Sequence, residues 1–139
     1  MSASNGVHKA ASREEIMAAA IPLRREWVAI PEWPGGGVYI SEMTGRDRDR
    51  MEETEYELRK SGAGGLVGFP ARMLVRVLVD GEGVPIFMPD DAEWLSNQPT
   101  RIVSRLADIA QTINRITEAD IEEAEKNSVS GQSVGSGSA

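Results

Sequence analysis

Ile102, Leu106, Ile109, Ile113 and Ile116 are spaced 4, 3, 4, 3 along the chain. Such a spacing puts one apolar side chain on the same face of an α-helix at every turn. From Thr100 to Ile116 that helix would be about 25 Å long at 1.5 Å per residue. The seam spans little more than two heptads, short of the three to four that define a coiled coil. It therefore reads two ways: packed inside its own domain, or laid against a helix of another chain. Either way, much of the second half of the chain must be helical.

The first half has the opposite grammar. Glu26-Trp27-Val28-Ala29-Ile30 and Val38-Tyr39-Ile40-Ser41-Glu42 are strand-like, and Pro31-Glu32-Trp33-Pro34-Gly35-Gly36-Gly37 between them is a dense turn signal. A β-hairpin follows, with Trp27 and Tyr39 on one face if the register pairs them. Trp33 inside that turn also reads two ways: pinned to its own domain, or displayed as an aromatic interface anchor.

The remaining elements are set by caps and breakers. Ser12-Arg13-Glu14-Glu15 has the form of a capping box for a short helix that Pro22 would close. Thr44 and Asp47 start a charged helix that runs to Lys60. With few apolar residues and opposite charges at i,i+4, such as Glu55 and Arg59, it reads as mostly solvent-facing. Pro70 suits a helix first turn, and Met73, Leu74, Val77 and Leu78 make Ala71–Val79 the expected central core helix. Asp80-Gly81-Glu82-Gly83 is a turn, with Val84-Pro85-Ile86-Phe87 extended behind it. Pro89-Asp90-Asp91 opens a short helix carrying Trp94 and Leu95, and Thr117-Glu118-Ala119-Asp120 opens an acidic one to about Lys126. The last thirteen residues hold five serines and three glycines, which leaves little to bury.

The expected fold is α+β: an N-terminal β-hairpin followed by a mainly helical bundle of four to five helices. Residues 1–22 read as a flexible N-terminus with room for a short helix, 23–126 as the folded domain and 127–139 as a disordered Ser/Gly tail. The core should contain Met73, Leu74, Val77, Leu78, Leu106, Ile109 and Ile113.

Composition narrows function by exclusion. A chain of 139 residues is one domain, large enough to bury a core without staples. Its formal charge of −7 argues against coating nucleic-acid phosphates or docking on an anionic membrane. It has no cysteine and a single histidine, His8. That excludes thiolate chemistry and two-histidine metal motifs, and argues against a Ser-His-Asp triad. No apolar run approaches the 18 or so residues that span a bilayer, and the N-terminus lacks the order of a secretory signal.

The surviving chemical candidates are weak. Asp90-Asp91 reads as a helix cap. Gly62 to Gly68 lacks the Gly-Lys-Ser/Thr ending of a phosphate loop. Arg46, Arg48 and Arg50 are interleaved with Asp47, Asp49, Glu52 and Glu53, which makes a solvated ion-pair helix. A small enzyme working with carboxylates alone would need paired carboxylates facing across a cleft. No catalytic, metal or cofactor residue is expected, and weight moves to a binding protein.

The order of the motifs carries a resemblance. Val28-Ala29-Ile30-Pro31-Glu32-Trp33, a glycine run, Val38-Tyr39-Ile40-Ser41-Glu42-Met43-Thr44-Gly45 and a charged helix resemble the opening of tail assembly chaperones of long-tailed bacteriophages. Ala71 to Asp80 with Gly81-Glu82-Gly83, then Ile86-Phe87 and Asp90-Asp91, resemble the middle of that family. Ile113-Asn114-Arg115-Ile116-Thr117-Glu118-Ala119-Asp120-Ile121 and Glu125-Lys126-Asn127-Ser128 resemble its close. The likeness covers about residues 26–128 and departs from the family in the Ser/Gly end.

The resemblance implies assembly rather than catalysis. The implied partners are the tape measure protein, a very long helix-rich chain, and the tail tube protein, with room for self-association. No nucleic acid, membrane, small-molecule substrate or cofactor is implied. Such a protein would work in the cytoplasm of the bacterial host and be absent from the mature virion. The alternative is a structural subunit of the tail or neck retained in the particle. The residues expected to meet a partner are Trp33, Ile102, Leu106, Ile109 and Ile113.

Overall fold

The computed structural model describes residues 7–62 and 67–115. Ile116, the acidic helix expected from Thr117 and the tail at 127–139 lie outside the described residues.

A hairpin forms where the two strand-like runs predict it. β1 (Arg25–Ala29) pairs antiparallel with β2 (Gly37–Ser41), Trp27 opposite Tyr39 and Val28 opposite Val38. The turn closes through the Ile30 N–H, which donates to the Gly36 carbonyl at 2.8 Å. Side chains alternate across a strand. Val28, Ile30, Val38 and Ile40 therefore face the core and are buried, while Trp27 and Tyr39 share the other face. Their rings meet edge-on, with centroids 5.1 Å apart and planes at 66°. Gly35 and Gly36 both sit at φ +83°, which strains any residue with a Cβ. At Gly37 the reason for glycine is space: a Cβ there would run into the Val28 carbonyl and the Trp27 ring.

α1 (Arg13–Ala18) precedes the hairpin. Its capping box is complete, with the Glu15 N–H donating to Ser12 Oγ at 3.1 Å and the Ser12 N–H to Glu15 Oε1 at 2.8 Å. The helix nevertheless buries none of its residues. After the hairpin, α2 (Gly45–Lys60) starts where Thr44 Oγ1 accepts from the Asp47 N–H at 3.1 Å. Arg48 and Glu52 form an i,i+4 ion pair at 3.1 Å. Two residues depart from the solvent-facing expectation: Met51 and Glu55 are buried.

α3 (Phe69–Val77) is the central helix, and Met73, Leu74 and Val77 are fully enclosed. It is as long as the Ala71–Val79 reading but begins and ends two residues earlier. Leu78 turns extended and, with Val79, forms β3 (Leu78–Val79), which pairs antiparallel with β2 through Ile40↔Leu78 and Tyr39↔Val79. Two causes end the helix here. β2 offers an unfilled ladder of backbone groups. Just beyond, Asp80 gathers the next turn by accepting the Glu82 and Val84 N–H groups on Oδ1, at 2.8 and 3.0 Å. The sheet order is β1–β2–β3.

A 3-10 turn at Pro89–Asp91 leads into α4 (Ala92–Ser96), which buries Leu95. Asp91 Oδ2 accepts the Met88 N–H at 2.7 Å, so this carboxylate organises the helix start. α5 (Thr100–Asn114) ends with Arg115 in the left-handed conformation. It packs on α3 and β2 through the isoleucine–leucine seam. Leu106 and Ile102 are buried with Ala107 and Ala110, and Ile109 and Ile113 pack against the margin of the same core. Asn114 fastens the end of α5 to the chain leaving the sheet. It accepts the Met43 N–H at 2.7 Å and donates to the Ser41 and Ala110 carbonyls at 3.3 and 3.1 Å. The architecture is thus an α+β domain in which one face of a three-stranded sheet carries the helices.

Candidate protein-interaction surface

Between Asp80 and Trp94 the chain carries five carboxylates, no lysine or arginine, and an unusual load of apolar residues. Pro85 and Pro89 cannot donate within a helix, so Val84–Met88 runs extended. The Ile86 N–H donates to the Leu78 carbonyl at 3.0 Å, and Pro85 bridges to Val79, which pins the segment beside β3. Alternation then splits it. Phe87 turns toward the core, while Val84, Ile86 and Met88 face outward, Met88 at 67% exposure. Trp94 on α4 stacks on Phe87, with centroids 6.0 Å apart, and is itself 52% exposed. Val84, Ile86 and Met88, with Trp94 beyond them on Phe87, are the exposed apolar residues of this stretch, a strip of the chain interspersed with Asp80, Glu82, Asp90, Asp91 and Glu93.

Alongside the strip opens a cleft of about 330 Å³. Val75, Pro85, Phe87 and Pro89 form its apolar side. Its polar side is built by α2 and α3. Arg72 grips Glu55 with Nε on Oε2 at 2.6 Å and Nη2 on Oε1 at 2.7 Å, and one turn on Arg76 donates to Thr54 Oγ1 at 3.1 Å. The Glu55 side chain is 8% exposed. A bidentate guanidinium satisfies a buried carboxylate in a way a lysine cannot.

Asp80 sits at the rim of the strip. The Val84 and Glu82 N–H groups that donate to its carboxylate hold it below the ordinary aspartate range, with the Arg25 charge helping. Arg25 in turn donates to the Gly81 carbonyl at 3.1 Å, tying β1 to this loop.

The residues named from sequence fall elsewhere. Ile102 and Leu106 lie inside the core of the chain itself, where an intact fold presents them to no partner. Ile109, Ile113 and Trp33 are partly buried against that core. Ile113 also borders a second cleft, of about 260 Å³, beside Arg24 and Arg25. Beside Trp33, Glu32 pairs with Arg101 at 3.4 Å, and Arg105 donates to the Ala29 carbonyl at 2.7 Å. The strip at 84–94 was not singled out from sequence. The sequence there is an unbroken apolar run between prolines within an acidic stretch.

Among the described residues, no three His, Asp or Glu side chains group to hold a metal ion, and no helix is long and apolar enough to cross a membrane. Among the described residues of this small α+β domain the salient surface feature is thus a run of exposed apolar residues among carboxylates, the kind of patch found at protein–protein contacts. The chain matches the family described as phage tail assembly chaperone over residues 11–127, and it belongs to that family. Its fold is similar to that of the bacteriophage HK97 tail assembly chaperone, with a TM-score of 0.51 at 24% identity, over 76% of this chain and 95% of that one. No curated protein matches the chain.

Proposed function

We propose that this tail assembly chaperone binds the unassembled tape measure protein, keeps it soluble and helps bring tail tube subunits to it. The strip of Val84, Ile86, Met88 and Trp94 carries the reading. A helix-rich chain awaiting its tube exposes apolar stripes, and an amphipathic helix is recognised by an apolar track with polar margins. The carboxylates of that stretch and the formal charge of −7 keep the complex from precipitating. Trp33, Ile109 and Ile113, half-covered at the margin of the core, supply a second contact region on this reading. Ile102 and Leu106 contribute from beneath by holding α5 in place. The protein acts in the host cytoplasm and leaves before the virion is complete.

The experiment is co-expression with the tape measure protein of the same phage. The reading expects that protein to move from the pellet to the soluble fraction and to co-purify with this chain. Equal solubility with and without the chain, and no co-purification, would refute it. Mass spectrometry of purified virions checks the last step, and this chain at stoichiometric copy number would contradict it.

A further inference from the structure

Arg115, where the described chain ends, is the one non-glycine residue among those described that has a positive φ, at 56°. A left-handed residue at a helix end turns the chain off the helix axis and back over the last turn. Beside that last turn lies the second cleft, of about 260 Å³, lined by Arg24, Arg25, Glu26, Thr112 and Ile113. It is smaller than the roughly 300–1,000 Å³ of small-molecule sites, so it suits a side chain better than a free ligand. Ile113 is only partly covered there by its own core. Residues 116–139 follow Arg115 and so begin at the lip of this cleft.

We propose that residues 116–126 of the same chain dock in this cleft, with Ile121 seated on Ile113. Tethering selects the occupant. Ile121 stands eight residues beyond Ile113, so it meets the cleft at an effective concentration on the order of millimolar. Charge agrees with it. Residues 116–126 hold Glu118, Asp120, Glu122, Glu123 and Glu125 against Lys126. Around the end of α5 stand Arg24 and Arg25 in the cleft, Arg48, whose Nη1 donates to the Asn114 carbonyl at 3.5 Å, and Arg115. Against them are Glu26 in the cleft, Glu42 on Arg24 at 3.5 Å and Glu52 on Arg48 at 3.1 Å. Cations thus outnumber carboxylates there in a chain whose formal charge is −7. The Arg24 side chain is 70% exposed, and a guanidinium has donors enough for Glu42 and a second carboxylate. In the helix expected for residues 117–126, Asp120 and Glu122 stand about 100° to either side of Ile121. An isoleucine on Ile113 therefore brings one carboxylate toward Arg24 and another toward Arg25. The docked segment covers Ile113, and a partner that uses this margin of α5 must displace it. That displacement rests on reading Ile113 as a contact residue.

The chain has no cysteine, so an introduced pair reports one contact. Glu26→Cys/Ile121→Cys puts one thiol in the cleft and the other, itself a small apolar group, at the seat of Ile121. Dilute full-length protein is oxidised and the intrachain disulfide followed on non-reducing denaturing gels. The control is Gly45→Cys/Ile121→Cys. Gly45 lies two residues past Met43, which Asn114 holds, so it is near the end of α5 but outside the cleft, and a Cβ there meets nothing. The disulfide is expected to form at least tenfold faster in the first variant. Equal rates would mean undirected collision and overturn the proposal, as would a disulfide that forms only between chains. In the unsubstituted chain, methyl NOEs are expected between Ile113 and Ile121, and their absence would also overturn it. The locked protein tests displacement. Oxidised Glu26→Cys/Ile121→Cys should capture at least tenfold less tape measure protein in a pull-down than the same variant reduced, and equal capture would refute displacement. Capture by neither form would sink the function reading, while the disulfide rates would still decide the docking.

Discussion

The guanidinium of Arg72 closes on both oxygens of the Glu55 carboxylate, at 2.6 and 2.7 Å, in a pair that joins α2 to α3 across 17 residues of sequence. α2 is otherwise a charged helix that buries only Met51 besides. The pair therefore sets where α2 lies and shapes the polar side of the cleft next to the apolar strip.

Removing one member leaves the other charge largely enclosed. Glu55→Ala or Arg72→Ala is expected to cost about 3–5 kcal/mol, the range for breaking a buried ion pair. Replacing both at once, as Glu55→Leu/Arg72→Met, is expected to recover most of that loss, because neither desolvated charge remains. Urea unfolding midpoints of the three variants check this. A double variant as unstable as the sum of the singles would show that the two residues act separately.

Asn114 tests how the last helix is held. Asn114→Ala removes one accepted and two donated bonds and strands the Met43 N–H in a part-buried site. A loss of about 1–3 kcal/mol is expected, the cost of an unsatisfied buried polar group. Hydrogen exchange should quicken first at Met43 and the end of α5. Uniform exchange throughout the domain would contradict a local clamp.

Much of the architecture was legible because it is locally encoded. Ser12 and Thr44 cap their helices through bonds three residues away, and the Pro/Gly turn placed Trp27 against Tyr39. What escaped depends on partners distant in sequence. Leu78 and Val79 continue an apolar helical stripe and leave it for a strand because β2 has an edge to fill, which no local pattern encodes. Glu55 looks like any other acid on α2, and its burial follows from Arg72. The seam of α5 was legible as a helix, but its regularity serves both readings equally. Packing on α3 and β2 decided between them for Ile102 and Leu106. The strip at 84–94 was hidden because a short unbroken apolar run, such as Val84-Pro85-Ile86-Phe87-Met88, is ordinarily a sign of burial on both sides. Here the side turned inward holds Phe87, and the side turned outward is also apolar.

Asp80 should make the loop that carries the strip acid-sensitive. Its carboxyl is held below the unfolded value of 3.8 by the Val84 and Glu82 N–H groups. A depressed pKa contributes stability that is fully present above the unfolded pKa and is lost as pH falls through the folded one. At neutral pH, Asp80→Asn is therefore expected to be less stable than wild type. The difference should begin to shrink as pH falls below about 3.8 and should vanish only below the lowered folded pKa of Asp80, where both carry a neutral side chain. Thermal melts of the two proteins from pH 7 to pH 2 check the sign, and a gap that widens with acid would contradict it.

The central claim is that the strip of Val84, Ile86, Met88 and Trp94 is where the tape measure protein is held. Met88→Asp places a carboxylate in its middle at a side chain that contributes nothing to the core. Co-expression with the tape measure protein, comparing wild type and Met88→Asp at matched levels and equal melting temperature, measures the claim directly. The account predicts that the variant stays folded while soluble, co-purified tape measure protein falls at least tenfold, about 1.4 kcal/mol of lost binding. Undiminished capture by a folded Met88→Asp protein would contradict it.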